Sequence, residues 1–137
     1  MKEKLIAVKK MIMGILEGFG YMPVDTEQGC ILFCYRMKHF YVTVEDGAEL
    51  YISVVYPCFM SVEMSAWKAH MVICNKLNRE GKAVKLSMDR DFKAVSASFD
   101  FFHTDERTLR ENIMRAIEYL EPVRAMYSLM LADLENS

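Results

Sequence analysis

Apolar residues near the start of the chain recur at three- and four-residue steps: Leu5, Val8, Ile12, Ile15, Leu16 and Phe19. That spacing lays one stripe along a helix. Gly18 and Gly20 weaken the helix, and Met22-Pro23 ends it, because a residue before proline is pushed out of the α region. Residues 24–29 are polar and read as a loop. From Cys30 to Met37 aromatic and β-favouring residues dominate, Lys38-His39 reads as a turn, and Phe40 to Glu45 follows. Asp46-Gly47 supplies a tight turn before a third run, Leu50 to Tyr56. Phe40, Val42 and Val44 share one face, as do Leu50, Ile52 and Val54. The alternate positions, Tyr41, Thr43 and Glu45, then Tyr51, Ser53 and Val55, form a second and wetter face.

Pro57 closes the third run. Ser61 or Ser65 can cap the next helix, whose stripe reads Met64, Trp67, Met71, Cys74 and Leu77, with Gly81 as its stop. Ala83 to Met88 and Phe92 to Phe101 form a hairpin around Asp89-Arg90-Asp91. Thr104 then caps a helix with Asp105 and Glu106 in its first turn, where carboxylates favour the positive end of the helix dipole. Leu109, Ile113, Ala116, Ile117 and Leu120 carry its buried face. Pro122 kinks it, and the amphipathic remainder holds Met126, Met130 and Leu131. The order is α-βββ-α-ββ-α, an α+β fold in a single domain spanning residues 1–137.

Composition narrows the classes of function. A 137-residue chain is long enough to bury roughly two-thirds of its unfolded surface. Its 53% hydrophobic and 26% charged residues exclude intrinsic disorder. The net charge is -2 and no Lys/Arg run exceeds two residues, so nothing offers a nucleic-acid backbone a grip. No apolar run approaches the roughly 20 residues needed to cross a bilayer. The Lys- and Glu-interrupted N-terminus reads as an amphipathic helix, not an export signal. The expectation is a cytoplasmic protein whose four cysteines are reduced.

Candidate chemistry is sparse. Cys30 and Cys34 share a strand face about 13 Å apart, too far for one metal ion or a disulfide. Neither Cys58 nor Cys74 completes a C-x-x-C pair, so all four read as buried structural thiols. His39, His70 and His103 lie in separate elements. Cys74 and His70 meet on one helix face at i, i+4, but no orienting third group or oxyanion donor accompanies them. Asp89 and Asp91 are explained by a turn, Asp105 and Glu106 by helix capping. No phosphate-binding glycine motif is present. Two features remain. Twelve methionines suit core packing and also adaptable binding surfaces. Phe33, Tyr35, Tyr41, Tyr51, Phe99 and Phe101 exceed what one sheet face needs, so a face left bare by the helices would have to meet a partner.

The segment Ile73-Cys74-Asn75-Lys76-Leu77-Asn78-Arg79-Glu80, then Lys82 to Met88, a tight turn and Lys93 to Phe101, resembles the YbjN-type domain of the type III secretion chaperone-like fold. The helix opening Thr104-Asp105-Glu106-Arg107-Thr108-Leu109 resembles it too. The resemblance implies a non-enzymatic protein with helices on one face of a five-stranded antiparallel sheet. It also implies polypeptide binding, dimer formation and a regulatory or chaperone-like role, with no catalytic residues and no cofactor.

The expected function is therefore protein binding through an apolar sheet and helix surface, by a homodimer or with another polypeptide. Aromatic anchors dominate such interfaces, which nominates Tyr41, Tyr51, Val55 and Trp67 as contacts. The alternative is small-ligand binding in a methionine- and aromatic-lined cavity between sheet and helices. Catalysis through Cys74 or a carboxylate pair ranks last.

Overall fold

Burial alternates residue by residue along the strands, and that alternation sets the architecture in the computed structural model, which describes residues 2–136. In chain order the elements are helix α1 (Lys2–Gly18), strands β1 (Val24–Asp25), β2 (Ile31–Tyr35), β3 (Lys38–Glu45) and β4 (Tyr51–Ser61), and helix α2 (Trp67–Glu80). Strands β5 (Val84–Met88) and β6 (Ala94–Phe102) and helices α3 (Glu106–Leu120) and α4 (Val123–Glu135) complete the chain. All neighbouring strands are antiparallel, in the order β1-β2-β3-β4-β6-β5.

Ile31, Phe33, Phe40, Val42, Ile52, Val54, Leu86, Val95, Ala97 and Phe99 are buried on one side of the sheet. Against that side lie the apolar stripes of the helices. α3 packs on β4 and β6, α2 on β5, α4 on α2 and α1 on α3. The stripe Leu109, Ile113, Ala116, Ile117 and Leu120 is buried throughout, and Val8, Ile12, Ile15 and Leu16 of α1 join it. Each buried valine, leucine or isoleucine among them contributes roughly 1.5–3 kcal/mol relative to an exposed one. The fold is α+β, as the element order predicts, with helices on one face, as the resemblance implies. The sheet has six strands instead of five, because Val24 and Asp25, read as loop, pair with Leu32 and Ile31. Among the described residues no helix is long and apolar enough to cross a membrane.

Several boundaries differ from the sequence expectation, each for a local reason. α1 stops before Pro23. Gly20 is left-handed, with φ at 83°, while its N–H donates to the Glu17 carbonyl and that of Tyr21 to Leu16. This Schellman closure ends the helix without help from proline. The β2–β3 turn is Arg36-Met37, not Lys38-His39: Tyr35 pairs with Lys38, and both turn residues have positive φ without being glycine or asparagine. The β3–β4 connection is a longer loop over 46–50, and Gly47 is not among the left-handed glycines.

Pro57 does not end its strand. β4 runs on through a bulge between Tyr56 and Met60, where proline's missing N–H breaks no ladder. Cys58, left-handed in that bulge, donates its N–H to Ser96 Oγ. A short 3-10 turn, Met64–Ala66, leads into α2 with no side-chain cap from Ser61 or Ser65. The buried stripe of α2 is His70, Ile73 and Cys74, while Met64, Trp67 and Met71 are exposed. Gly81 follows α2 in an extended conformation. A Cβ there would stand 2.5 Å from the Leu77 carbonyl oxygen, so close approach demands glycine. The cap of α3 is Asp105 in place of Thr104, in a reciprocal box with Thr108. Pro122 interrupts the last helix outright, although Glu121 and Pro122 keep helical dihedrals.

Candidate functional site

The face of the sheet opposite the helices carries the other half of each alternation. Cross-strand pairing arranges it in rows. Leu32, Tyr41, Val55, Ser98 and Lys85 lie side by side across five strands. Beside them runs Thr43–Ser53–Asp100, then Glu45–Tyr51–Phe102, where the Tyr51 and Phe102 rings meet edge-on at 5.1 Å. Directly opposed side chains on one face stand close enough to act as a unit.

Asp100 is the hub of the polar part. Ser53 Oγ donates to Asp100 Oδ1, Tyr51 donates to Oδ2 at 2.7 Å, and Lys85 Nζ lies 3.5 Å from Oδ2. Burial by itself would raise this carboxyl. The hydrogen bonds from Ser53 and Tyr51 and the charge of Lys85 outweigh that and hold it below its ordinary value. Tyr51 is raised in turn, first by its bond to the carboxylate and then by burial. Tyr41 is raised by burial, with Cys30 and Cys58 adding to the effect.

Three of the four expected contacts therefore share this face: Tyr41 and Val55 are direct neighbours, and Tyr51 lies farther along Val55's own strand. Trp67 is not with them. It opens α2 in the opposite layer, where Val72, Ile73, Lys76, Met130, Asp133 and Leu134 line a narrow groove of about 180 Å3 between α2 and α4. The aromatic surplus also divides unevenly. Phe33 and Phe99 are buried and Tyr35 and Phe101 pack partly against the core, leaving Tyr41 and Tyr51 for the open side.

One reading of residue type is overturned, that of four buried thiols. Only Cys74 is a buried thiol; Cys30 is half-buried, and Cys34 and Cys58 are exposed at the sheet's open side and bulge. The methionines, for which both core packing and adaptable surface stood open, divide between the solvent and the edge of the core. Met22, Met37, Met64, Met71, Met114 and Met126 are exposed, and Met11, Met13, Met60, Met88 and Met130 are half-buried.

The sequence reading also missed two side-chain pairings. The Tyr127 hydroxyl lies 2.6 Å from His70 Nδ1 and 3.9 Å from Cys74 Sγ, all in the core. Burial lowers His70 and raises Cys74, and it pushes the Tyr127 hydroxyl far above the usual phenol range. The hydroxyl gives His70 and Cys74 the third group that their i, i+4 spacing lacks, but as a core hydrogen bond sealed from solvent. The second pairing, Cys34 with His39, follows from the shifted turn. Among the described residues no three of His, Cys, Asp and Glu are placed to hold a metal ion.

At the rim where α1 and α3 meet the β2 end of the sheet, Phe19, Tyr21, Tyr35, Arg36, Met114 and Glu121 line a cleft of about 340 Å3. Glu121 is tied there by Lys38 Nζ at 2.9 Å and faces Arg36 at 3.9 Å.

No protein-family model matches the chain, and no curated protein matches it in sequence. Among solved structures it is similar to YbjN from E. coli, a candidate transcription regulator. The two superpose with a TM-score of 0.60 over 93% of this chain and 91% of that one, at 11% identity. At that identity the likeness concerns architecture alone, and the chain has the YbjN-type fold.

Proposed function

We propose that this chain is a non-enzymatic regulatory or chaperone-like domain of the cytoplasm that binds a polypeptide across the open face of its sheet. A second copy of the chain is the first partner to test. The observation that carries the reading is the row Leu32–Tyr41–Val55, an apolar strip on a sheet face without helices, flanked by the fixed polar cluster of Asp100. Tyrosine offers large contact area at low entropic cost, and a hydrogen-bonded cluster beside it gives a partner its register. The YbjN likeness is in keeping with a regulatory role.

Cross-linking mass spectrometry on the purified chain and on native cell extract tests the reading, with sedimentation run alongside. Cross-links through the Lys85 amine, which shares the row of Tyr41 and Val55, are expected, and Tyr41→Asp with Val55→Asp should abolish them while circular dichroism stays native. A monomer without cross-linked polypeptide, or cross-links confined to the Trp67 side, would sink it. A second reading has its own observation: the rim cleft, where Phe19, Tyr21, Tyr35 and Met114 stand beside Arg36 and Glu121, fits a small ligand with an apolar body and a polar end. Native mass spectrometry of freshly purified protein decides it, since Met114→Trp should expel any ligand seated there.

A further inference from the structure

Cys34 and His39 face each other across the β2–β3 ladder on the open side of the sheet, and Cys34 Sγ lies 3.1 Å from His39 Nδ1. Both residues are exposed. They also share the wall of a cleft of about 460 Å3 whose other lining includes Met22, Val24, Leu32 and Phe33. A nucleophile with a base in hydrogen-bond reach, at the mouth of an apolar cleft, is a reactive arrangement. The thiolate is the attacking species, so a neighbouring ring that takes up the proton favours attack.

No cysteine within the chain can receive it. Cys30 lies four residues before Cys34, just ahead of β2 and about 13 Å away along an extended chain, and Cys58 is two strand spacings across, about 9.5 Å, whereas a disulfide needs Cα atoms within about 7 Å. Cys74 is buried on the other side.

We infer that Cys34 is a modification site that forms a mixed disulfide with a small apolar disulfide, His39 accepting the thiol proton. The Cys34 sulfur attacks one sulfur of the reagent, a new S–S bond forms, and the old one breaks with its electron pair leaving on the departing thiolate. His39 then passes the proton to that thiolate. Cys34 is oxidised, the small disulfide is reduced to one thiol, and the ring ends neutral. The exchange needs no further reactant.

The full chain is treated with dithiodipyridine, a neutral aromatic disulfide, and in parallel with oxidised glutathione, and adducts are located by peptide mass spectrometry over time. Cys34 should react first and faster with the aromatic reagent than with the polar peptide. His39→Gln should slow Cys34 by roughly tenfold while Cys58 of the same molecule keeps its rate. Added imidazole should restore part of the loss, and Cys34→Ser should remove the fast adduct. A lead for Cys58 or Cys30, an unchanged Cys34 rate in His39→Gln, no preference for the aromatic reagent, or a covalent dimer as the main product would each overturn the assignment.

Discussion

The two faces of the sheet are built from alternate residues of the same strands, yet they are held by different physics. On the helix side, aromatic rings pass contacts from strand to helix: Phe33 to Phe40 at 5.3 Å, Phe40 to Tyr56 at 4.9 Å, Tyr56 to Phe59 at 5.3 Å and Phe59 to Tyr127 at 5.5 Å. That side is stabilised by area removed from water and by close packing. On the open side the strands present Tyr41, Thr43, Ser53, Val55, Ser96, Ser98 and Asp100, half-buried and linked in part by hydrogen bonds. The helix face makes the fold. The open face buries less and leaves its side chains half in solvent.

Neighbouring residues on β3 put that contrast to its hardest test. Phe40 is 1% exposed and touches two rings, so Phe40→Ala should destabilise the chain by about 3–5 kcal/mol. Tyr41→Ala, one residue on, should change stability by no more than about 1 kcal/mol, the worth of a cross-strand pair. Urea denaturation of both variants measures the difference. Equal losses would mean that the open face is packed in solution, and the contrast would fail.

A polar contact inside the helix layer gives the next largest effect. Tyr127→Phe keeps the ring but strips the hydroxyl from His70 Nδ1 in the core, an expected loss of about 1–3 kcal/mol. Burial lowers His70 and the charge of Glu135 works the other way without cancelling it, so the ring gives up its proton more readily in the folded chain than in the unfolded one. Below the ordinary histidine value of about 6.5 the unfolded chain then binds more protons than the folded one. Stability should be flat above that pH and fall as pH drops beneath it. Denaturation between about pH 7.5 and about pH 5 reads the slope, and His70→Leu should flatten it whatever it does to the level.

The helix face was largely legible in the sequence. Alternation identified Phe40 and Val42, then Ile52 and Val54, and helical spacing identified the α3 stripe, because burial acts on single side chains whose period is visible locally. Pairings were less legible. The β2–β3 turn carries no glycine or asparagine to mark Arg36-Met37, so the sequence places it two residues late at Lys38-His39, and that shift hid the Cys34–His39 pair. Pro57 reads as a stop unless a bulge absorbs it, and the bulge is visible only in the register with β6. His70 and Tyr127 are 57 residues apart, beyond any periodic signal. Tyr41, Tyr51 and Val55 could be placed on one face by alternation alone. Trp67 could not, because which layer a helix joins depends on the tertiary fold.

The smallest expected effect lies on the open face and tests whether its polar cluster is more than surface decoration. Asp100 is held below its ordinary value because, against the burial that would raise it, Ser53 and Tyr51 donate to it and Lys85 sits nearby. A carboxyl lowered in the folded state contributes stability that is fully present above its unfolded value and is lost as pH falls through the lowered one. Asp100→Asn should therefore cost about 1 kcal/mol near neutral pH, kept small because the Lys85 side chain is 68% exposed and its charge is screened. The gap between wild type and variant should stay constant down to about pH 5 and close below about pH 4. Thermal denaturation across that range checks both size and direction. If the gap persists in acid, the carboxylate is not what orders the row, and the open face takes its register from the Tyr51–Phe102 contact instead.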